Sequence, residues 1–137
     1  GVDTQSGNIK ESRFEIINEV GAPVATFSAQ GKAEFAGGIG IGSQDLGSST
    51  TNELNSEKTS GKATIKANAS QVKIKSSSIT DKTLIYVTAV GSTGNQVLYV
   101  KEQTAENQET PINEGEFVVG FDQATSSDVS FNWWLVN

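Results

Sequence analysis

Short runs of alternating apolar and polar residues recur along this chain, and turn-forming residues separate them. A period of two places successive side chains on opposite faces of an extended strand, so the pattern predicts β-strands. The predicted strands cover residues 13–18, 24–28, 33–36, 63–67, 71–75, 83–88, 96–101, 116–121 and 129–136. The fold class that follows is all-β.

Composition and spacing divide the predicted strands into two groups with a polar stretch between them. Residues 1–42 are predicted to form an N-terminal β-meander extension, and residues 61–137 a small antiparallel β-sandwich or barrel domain. Residues 43–60 are rich in Ser, Thr and Asn and show no periodic face, so we expect a polar linker there.

Five large apolar residues are the anchors of the N-terminal segment. Phe14, Phe27 and Phe35 lie in its three strands, while Ile39 and Ile41 alternate with glycines in the run that follows. Three short strands cannot bury an independent core, so we expect other subunits to cover them. These five residues are therefore predicted to lie at a subunit interface.

The last strand contains two adjacent tryptophans, Trp133 and Trp134. Adjacent residues of a strand face opposite ways, so Trp133 is predicted to lie in the core and Trp134 on the other face. Exposed indoles contribute strongly to protein interfaces and also stack on other rings. Trp134 is accordingly predicted to be a subunit-interface residue, with a glycan or another strand of the same domain as alternative partners.

The chain contains no Cys, His or Met, which excludes most familiar catalytic chemistry. Without His or Cys there is no Ser-His-Asp triad, no thiol nucleophile and no zinc site of the common types. Ser, Lys and Glu are present, but no spacing singles out a reactive pair. We therefore expect no enzyme activity, no cofactor and no metal.

Charge and hydropathy limit the partners. The net charge of -6 and the pI of about 4.6 disfavour binding to a phosphate backbone, so no nucleic acid is expected. No stretch approaches the roughly 20 apolar residues of a membrane-spanning helix. Hydrophobic residues make up only 35% of the chain, and such a lean core favours burial between subunits. A signal peptide or larger preceding part is compatible with the start at Gly1.

Two stretches resemble trimeric tail-fibre and surface-fibre proteins of phages and bacteria. Residues 27–37 (FSAQGKAEFAG) look like the strand, turn and strand unit of those fibres. Residues 61–137, with GKATI early, SITDKTLIYVT in the middle and FNWWLV at the end, are similar to the C-terminal β-domains that close them. The resemblance implies a non-enzymatic and usually homotrimeric structural role, although the chain lacks the heptad coiled coil often found nearby.

The expected function is that of a structural component of an extracellular or virion fibre or appendage, located outside the cell, on its surface or on a virion. Its subunits would associate through β-strand and aromatic contacts, as a homotrimer or as a filament. An alternative is an extracellular filament polymerised by strand donation, in which N-terminal strands complete the sheet of the next subunit. A carbohydrate-binding module that uses Trp134 to bind a glycan or a cell-surface receptor is the alternative from a different class.

Overall fold

The computed structural model describes residues 12–38, 42–105 and 115–137, and the chain divides into two compact units, Gly1–Gly40 and Ile41–Asn137. All regular structure in the described residues is β-strand, so the predicted fold class is confirmed. Each predicted strand is present, with boundaries that shift by a few residues.

The first unit is the predicted β-meander. Three antiparallel strands lie in chain order in one sheet: β1 (Arg13–Ile17), β2 (Pro23–Ser28) and β3 (Ala33–Phe35). Gly21 and Gly31 lie in the two turns with φ of +83° and +82°, a backbone conformation that glycine adopts without steric cost. Strand alternation and turn chemistry therefore agree in this unit.

The second unit contains two four-stranded sheets. Its strands are β4 (Ser43–Asp45), β5 (Glu53–Asn55), β6 (Ser60–Ile65), β7 (Gln71–Lys75), β8 (Leu84–Val90), β9 (Tyr99–Thr104), β10 (Glu116–Gly120) and β11 (Val129–Val136). One sheet, the β11 sheet, has the order β4-β6-β11-β8, and the other, the β10 sheet, has the order β5-β7-β10-β9. Of the two predicted architectures, sandwich and barrel, two separate open sheets correspond to a sandwich.

The core lies between the two sheets. The ring centroids of Phe117 on β10 and Trp133 on β11 are 5.8 Å apart, so the inner faces of the sheets are in contact. Alternate residues of the central strands supply most of the buried side chains: Ala63, Ile65, Val72, Ile74, Phe117, Val119, Val129, Phe131, Trp133 and Leu135. The predicted inward face of the last strand is thus confirmed.

Residues 43–60 belong to the second unit, which differs from the prediction of a polar linker. β4 pairs with β6 and β5 pairs with β7, both in parallel, and Leu54 on β5 is buried in the core. A strand of three residues is too short for an alternating pattern to be recognised in the sequence. Polar side chains on such a strand also give no indication that its backbone pairs with a sheet. Gly61 permits the close approach of β4, since a Cβ there would lie 2.1 Å from the carbonyl oxygen of Gln44.

Candidate interaction surfaces

Three of the predicted interface residues form a row on one face of the meander. Phe14 lies opposite Phe27 in the β1–β2 register, and Phe35 lies opposite Ala25 in the β2–β3 register, so all three rings share a face. The ring centroids of Phe14 and Phe27 are 6.1 Å apart, and those of Phe27 and Phe35 are 6.0 Å apart. We call Phe14, Phe27 and Phe35 the Phe row.

The Phe row is half exposed. Its side chains retain 50%, 43% and 41% of their accessible surface, and Ile16 on the same face is also exposed. Ala25 is the one buried hydrophobic residue in the described part of the meander. Within residues 12–38, therefore, the apolar face has no covering layer.

The opposite face of the meander is mainly polar and charged, with Val24 as an exposed apolar residue on it. Glu15 and Glu34 both lie opposite Thr26 in the strand registers. Glu15 pairs with Arg13 at 2.5 Å, and Glu34 pairs with Lys32 at 2.5 Å. The hydrogen bond and charge attraction in the second pair raise the pKa of Lys32 and lower that of Glu34. One face is thus suited to water and the other to an apolar partner.

The remaining predicted interface residues are Ile39, Ile41 and Trp134. Ile39 and Ile41 lie outside the described residues. Trp134 belongs to the second unit and lies on the outer face of the β11 sheet, with 49% of its surface exposed. The predicted division between an inward Trp133 and an outward Trp134 is confirmed.

Tyr86 on β8 accompanies Trp134. The two residues lie opposite each other in the β8–β11 register, and their ring centroids are 6.3 Å apart at an interplanar angle of 42°. Tyr86 is 55% exposed. We call them the Tyr86–Trp134 pair. The sequence did not identify Tyr86 as a neighbour of Trp134. Alternation shows that Tyr86 shares a face with Leu84, but it does not show which strand lies beside β8.

Polar groups, among them the cationic Lys62, surround the Tyr86–Trp134 pair. Asn132 precedes Trp134 on the same face and lies opposite Thr88 on one side and Lys62 on the other. The hydroxyls of Thr64 and Ser130 are hydrogen-bonded across the strands at 2.9 Å. Apolar side chains complete this face at its ends: Leu84, Val90 and Val136.

Charged residues dominate the outer face of the β10 sheet. The ammonium group of Lys73 lies 3.9 Å from a carboxylate oxygen of Glu53 and 3.7 Å from one of Glu116. Nearby, the hydroxyl of Tyr99 donates a hydrogen bond of 2.6 Å to Asp122, which raises the pKa of Tyr99. This face is a solvated charge network, in contrast to the aromatic outer face of the β11 sheet.

Comparisons of this chain with family models, with curated proteins and with solved structures found no match. The surfaces are therefore interpreted from their own geometry and chemistry.

One cavity in the described residues has a volume of about 410 Å³. Polar and charged residues line it: Gln44, Asn55, Ser56, Glu57, Lys75 and Ser77. The Ser56 hydroxyl at this cavity forms two hydrogen bonds with the backbone of Lys58. It donates to the Lys58 carbonyl oxygen and accepts from the Lys58 N–H. In the described ranges, no cluster of acidic side chains has the arrangement of a metal site, and no helix is long and apolar enough to cross a membrane.

Proposed function

We propose that this protein is a non-enzymatic structural component of an extracellular or virion fibre or appendage. Its subunits associate through β-strand and aromatic contacts. The observation that carries the proposal is the Phe row, a line of half-exposed rings on one face of a three-stranded meander. A face of this kind on so small a sheet favours a partner that removes it from water.

The free energy available at the Phe row is large relative to the stability of the meander. Full burial of one Phe side chain stabilises by roughly 1.5–3 kcal/mol, so covering three half-exposed rings contributes about 2–5 kcal/mol. A three-stranded sheet with one buried alanine has little stability of its own. Association and folding of the meander are therefore coupled.

The partner in this proposal is a further copy of the chain. Every copy presents the same amphipathic meander, with ion pairs on one face and the Phe row on the other. A closed arrangement of such contacts gives a trimer, whereas a contact that does not close gives an open filament.

The test compares the assembly of Phe27 variants across a dilution series by mass photometry and negative-stain imaging. We expect the wild-type chain to form multi-subunit particles and Phe27→Ser, in the centre of the row, to shift them to particles with fewer subunits. Phe27→Leu retains an apolar side chain and is expected to assemble. Val20→Ser, at an 87% exposed position in the β1–β2 turn, is the matched control. A wild-type chain that remains single, or a Phe27→Ser chain that assembles normally, would contradict the proposal.

A second candidate function is carbohydrate binding at the Tyr86–Trp134 pair. The observation that favours it is the combination of two exposed rings with the amide of Asn132 and the hydroxyl of Thr88 on the same face. Aromatic faces supply apolar contact area, and neutral amides and hydroxyls supply hydrogen bonds. Screening on a glycan array should then show binding that Trp134→Ala abolishes and Tyr99→Ala, on the other sheet, leaves unchanged.

A further inference from the structure

Among the described residues, β8 is an edge strand of the β11 sheet and pairs with β11 alone. In an antiparallel pair, alternate residues direct their N–H and C=O groups to the neighbouring strand, and the others direct theirs away from it. Half of the backbone groups of β8 therefore face its free side. An edge of this kind is a template for pairing with another strand.

Three other edge strands in the described part of this unit carry features that discourage pairing. β4 and β5 each contain three residues, of which Asp45 and Glu53 are charged. β9 carries Lys101 and Glu102, and its ladder with β10 is interrupted by an irregularity. Short length, charges and bulges are the usual protections of a sheet edge.

β8 has none of these protections. It contains seven residues with the sequence LIYVTAV, without a charge, a proline or a register shift in its ladder with β11. A long, uncharged and apolar edge predicts an intermolecular contact.

The hydrophobic core is also more exposed at the β8 edge of the sandwich than at its centre. Ile85 and Val87 point to the core side of β8 but are only partly buried, whereas Phe131 and Trp133 on the neighbouring β11 are fully buried. On β9, the edge strand of the other sheet, Val100 is partly buried as well. A strand added next to β8 would remove further apolar surface from water.

We propose that β8 pairs with β8 of a second copy in antiparallel orientation, with the two-fold axis at Val87. This inference rests on the proposed function, since it names one of the β-strand contacts between subunits. The β11 sheets of two copies, each of four strands, would then form one continuous sheet. Strand addition of this type supplies main-chain hydrogen bonds over the whole edge.

The sequence of β8 is complementary to itself in this register. Leu84 lies opposite Val90 of the second copy, Ile85 opposite Ala89, and Tyr86 opposite Thr88, while Val87 meets its own counterpart. Each pair shares a face of the sheet, because residues on opposite sides of the axis are separated by an even number of positions. No like charges oppose each other on these strands, although each chain carries a net charge of -6. A second copy therefore meets no charge and no proline at any position of this register, and it is the partner that the proposed self-association supplies.

The same register brings aromatic residues of the two copies together. The two Tyr86 residues become diagonal neighbours, about 7–8 Å apart, which is within reach of aromatic side chains. Because each Tyr86 already contacts Trp134 in its own chain, the dimer contains a continuous row of four rings. In this dimer, the outward-facing Trp134 lies next to the subunit contact, which agrees with its predicted role as an interface residue.

Single cysteine substitutions in the full chain test the register, because the wild-type sequence contains no cysteine. Directly opposed residues have Cα separations of about 4.5–5.5 Å, within the disulfide range. Val87→Cys should therefore form a disulfide-linked dimer under mild oxidation. Leu84→Cys should not link to itself, because its two copies would be six residues or about 20 Å apart along the strands. A mixture of Leu84→Cys and Val90→Cys chains should give a mixed dimer.

The outcomes separate this inference from the proposed function. If Val87→Cys links no faster than Leu84→Cys while wild-type chains assemble through the Phe row, the β8 contact is wrong and the proposed function stands. If Val87→Cys links normally but Phe27→Ser does not affect assembly, the β8 contact stands and the role of the Phe row is wrong. Preferential linkage of Val87→Cys to Thr26→Cys on β2 would indicate strand donation by the meander and would also overturn the β8 pairing.

Discussion

Trp133 and Trp134 are neighbours in sequence, and the strand directs them to opposite sides of the β11 sheet. Trp133 is 2% exposed and packs on Phe117 across the core, while its indole N–H has no hydrogen-bond partner among the described residues. Its contribution to stability is therefore packing. Trp134 packs on Tyr86 at the surface.

Alanine at the two positions should have different effects. Trp133→Ala removes a large buried side chain, so we expect the free energy of unfolding to fall by roughly 3–5 kcal/mol. Trp134→Ala should change it by about 0.5 kcal/mol or less and weaken assembly instead, by about 2 kcal/mol if the indole is a hot spot. Denaturant unfolding and mass photometry measure the two effects. Equal loss of stability in both variants would contradict the assignment.

Gly61 lies where β4 approaches β6, and the absence of a Cβ atom at this position permits the close pairing of the two strands. An alanine Cβ there would lie 2.1 Å from the backbone oxygen of Gln44 and 2.9 Å from the ring of Trp133. Gly61→Ala must displace β4 or the indole, and we expect a loss of about 1–3 kcal/mol in unfolding free energy. Gly42→Ala is the control, since its nearest neighbour is the flexible Lys58 side chain at 3.6 Å. A neutral Gly61→Ala would indicate that β4 does not pair closely with β6.

At the scale of elements, the two parallel edge strands distinguish this unit from a wholly antiparallel sandwich. β5 places Leu54 in the core, at 8% exposure, from within a segment that the sequence predicts to be a linker. Leu54→Ala should therefore cost about 2–3 kcal/mol in thermal or denaturant unfolding. Leu84→Ala, on an exposed outer face, should change stability by about 0.5 kcal/mol or less. An unchanged stability of Leu54→Ala would instead support a linker at residues 43–60.

At the scale of the whole molecule, the two compact units differ in how much core they contain. The core cluster lies in the second unit, whereas the described part of the meander buries one alanine. A fragment of residues 41–137 should therefore unfold cooperatively near the midpoint of the full chain. A dilute fragment of residues 1–40 should show no cooperative transition by circular dichroism, because its Phe row lacks a partner. A sharp transition of that fragment as a monomer would show that it is stable alone.

The sequence by itself determined the local properties of this protein. Alternation predicted the β-class, the longer strands, the inward side of β11 and the outward position of Trp134, because a period of two depends only on backbone geometry. It also placed Phe14, Phe27 and Phe35 on strands of one meander, where short turns fix the pairing of neighbours.

The tertiary structure decided what depends on pairing between distant segments. Most neighbouring strands in the two sheets are not consecutive in the chain, because other strands lie between them in the sequence. Alternation within a strand does not show which strand lies beside it. The parallel pairing of β4 and β5, the contact of Tyr86 with Trp134 and the free edge of β8 therefore follow from the three-dimensional arrangement. Each depends on contacts that form only when the two sheets pack around a common core.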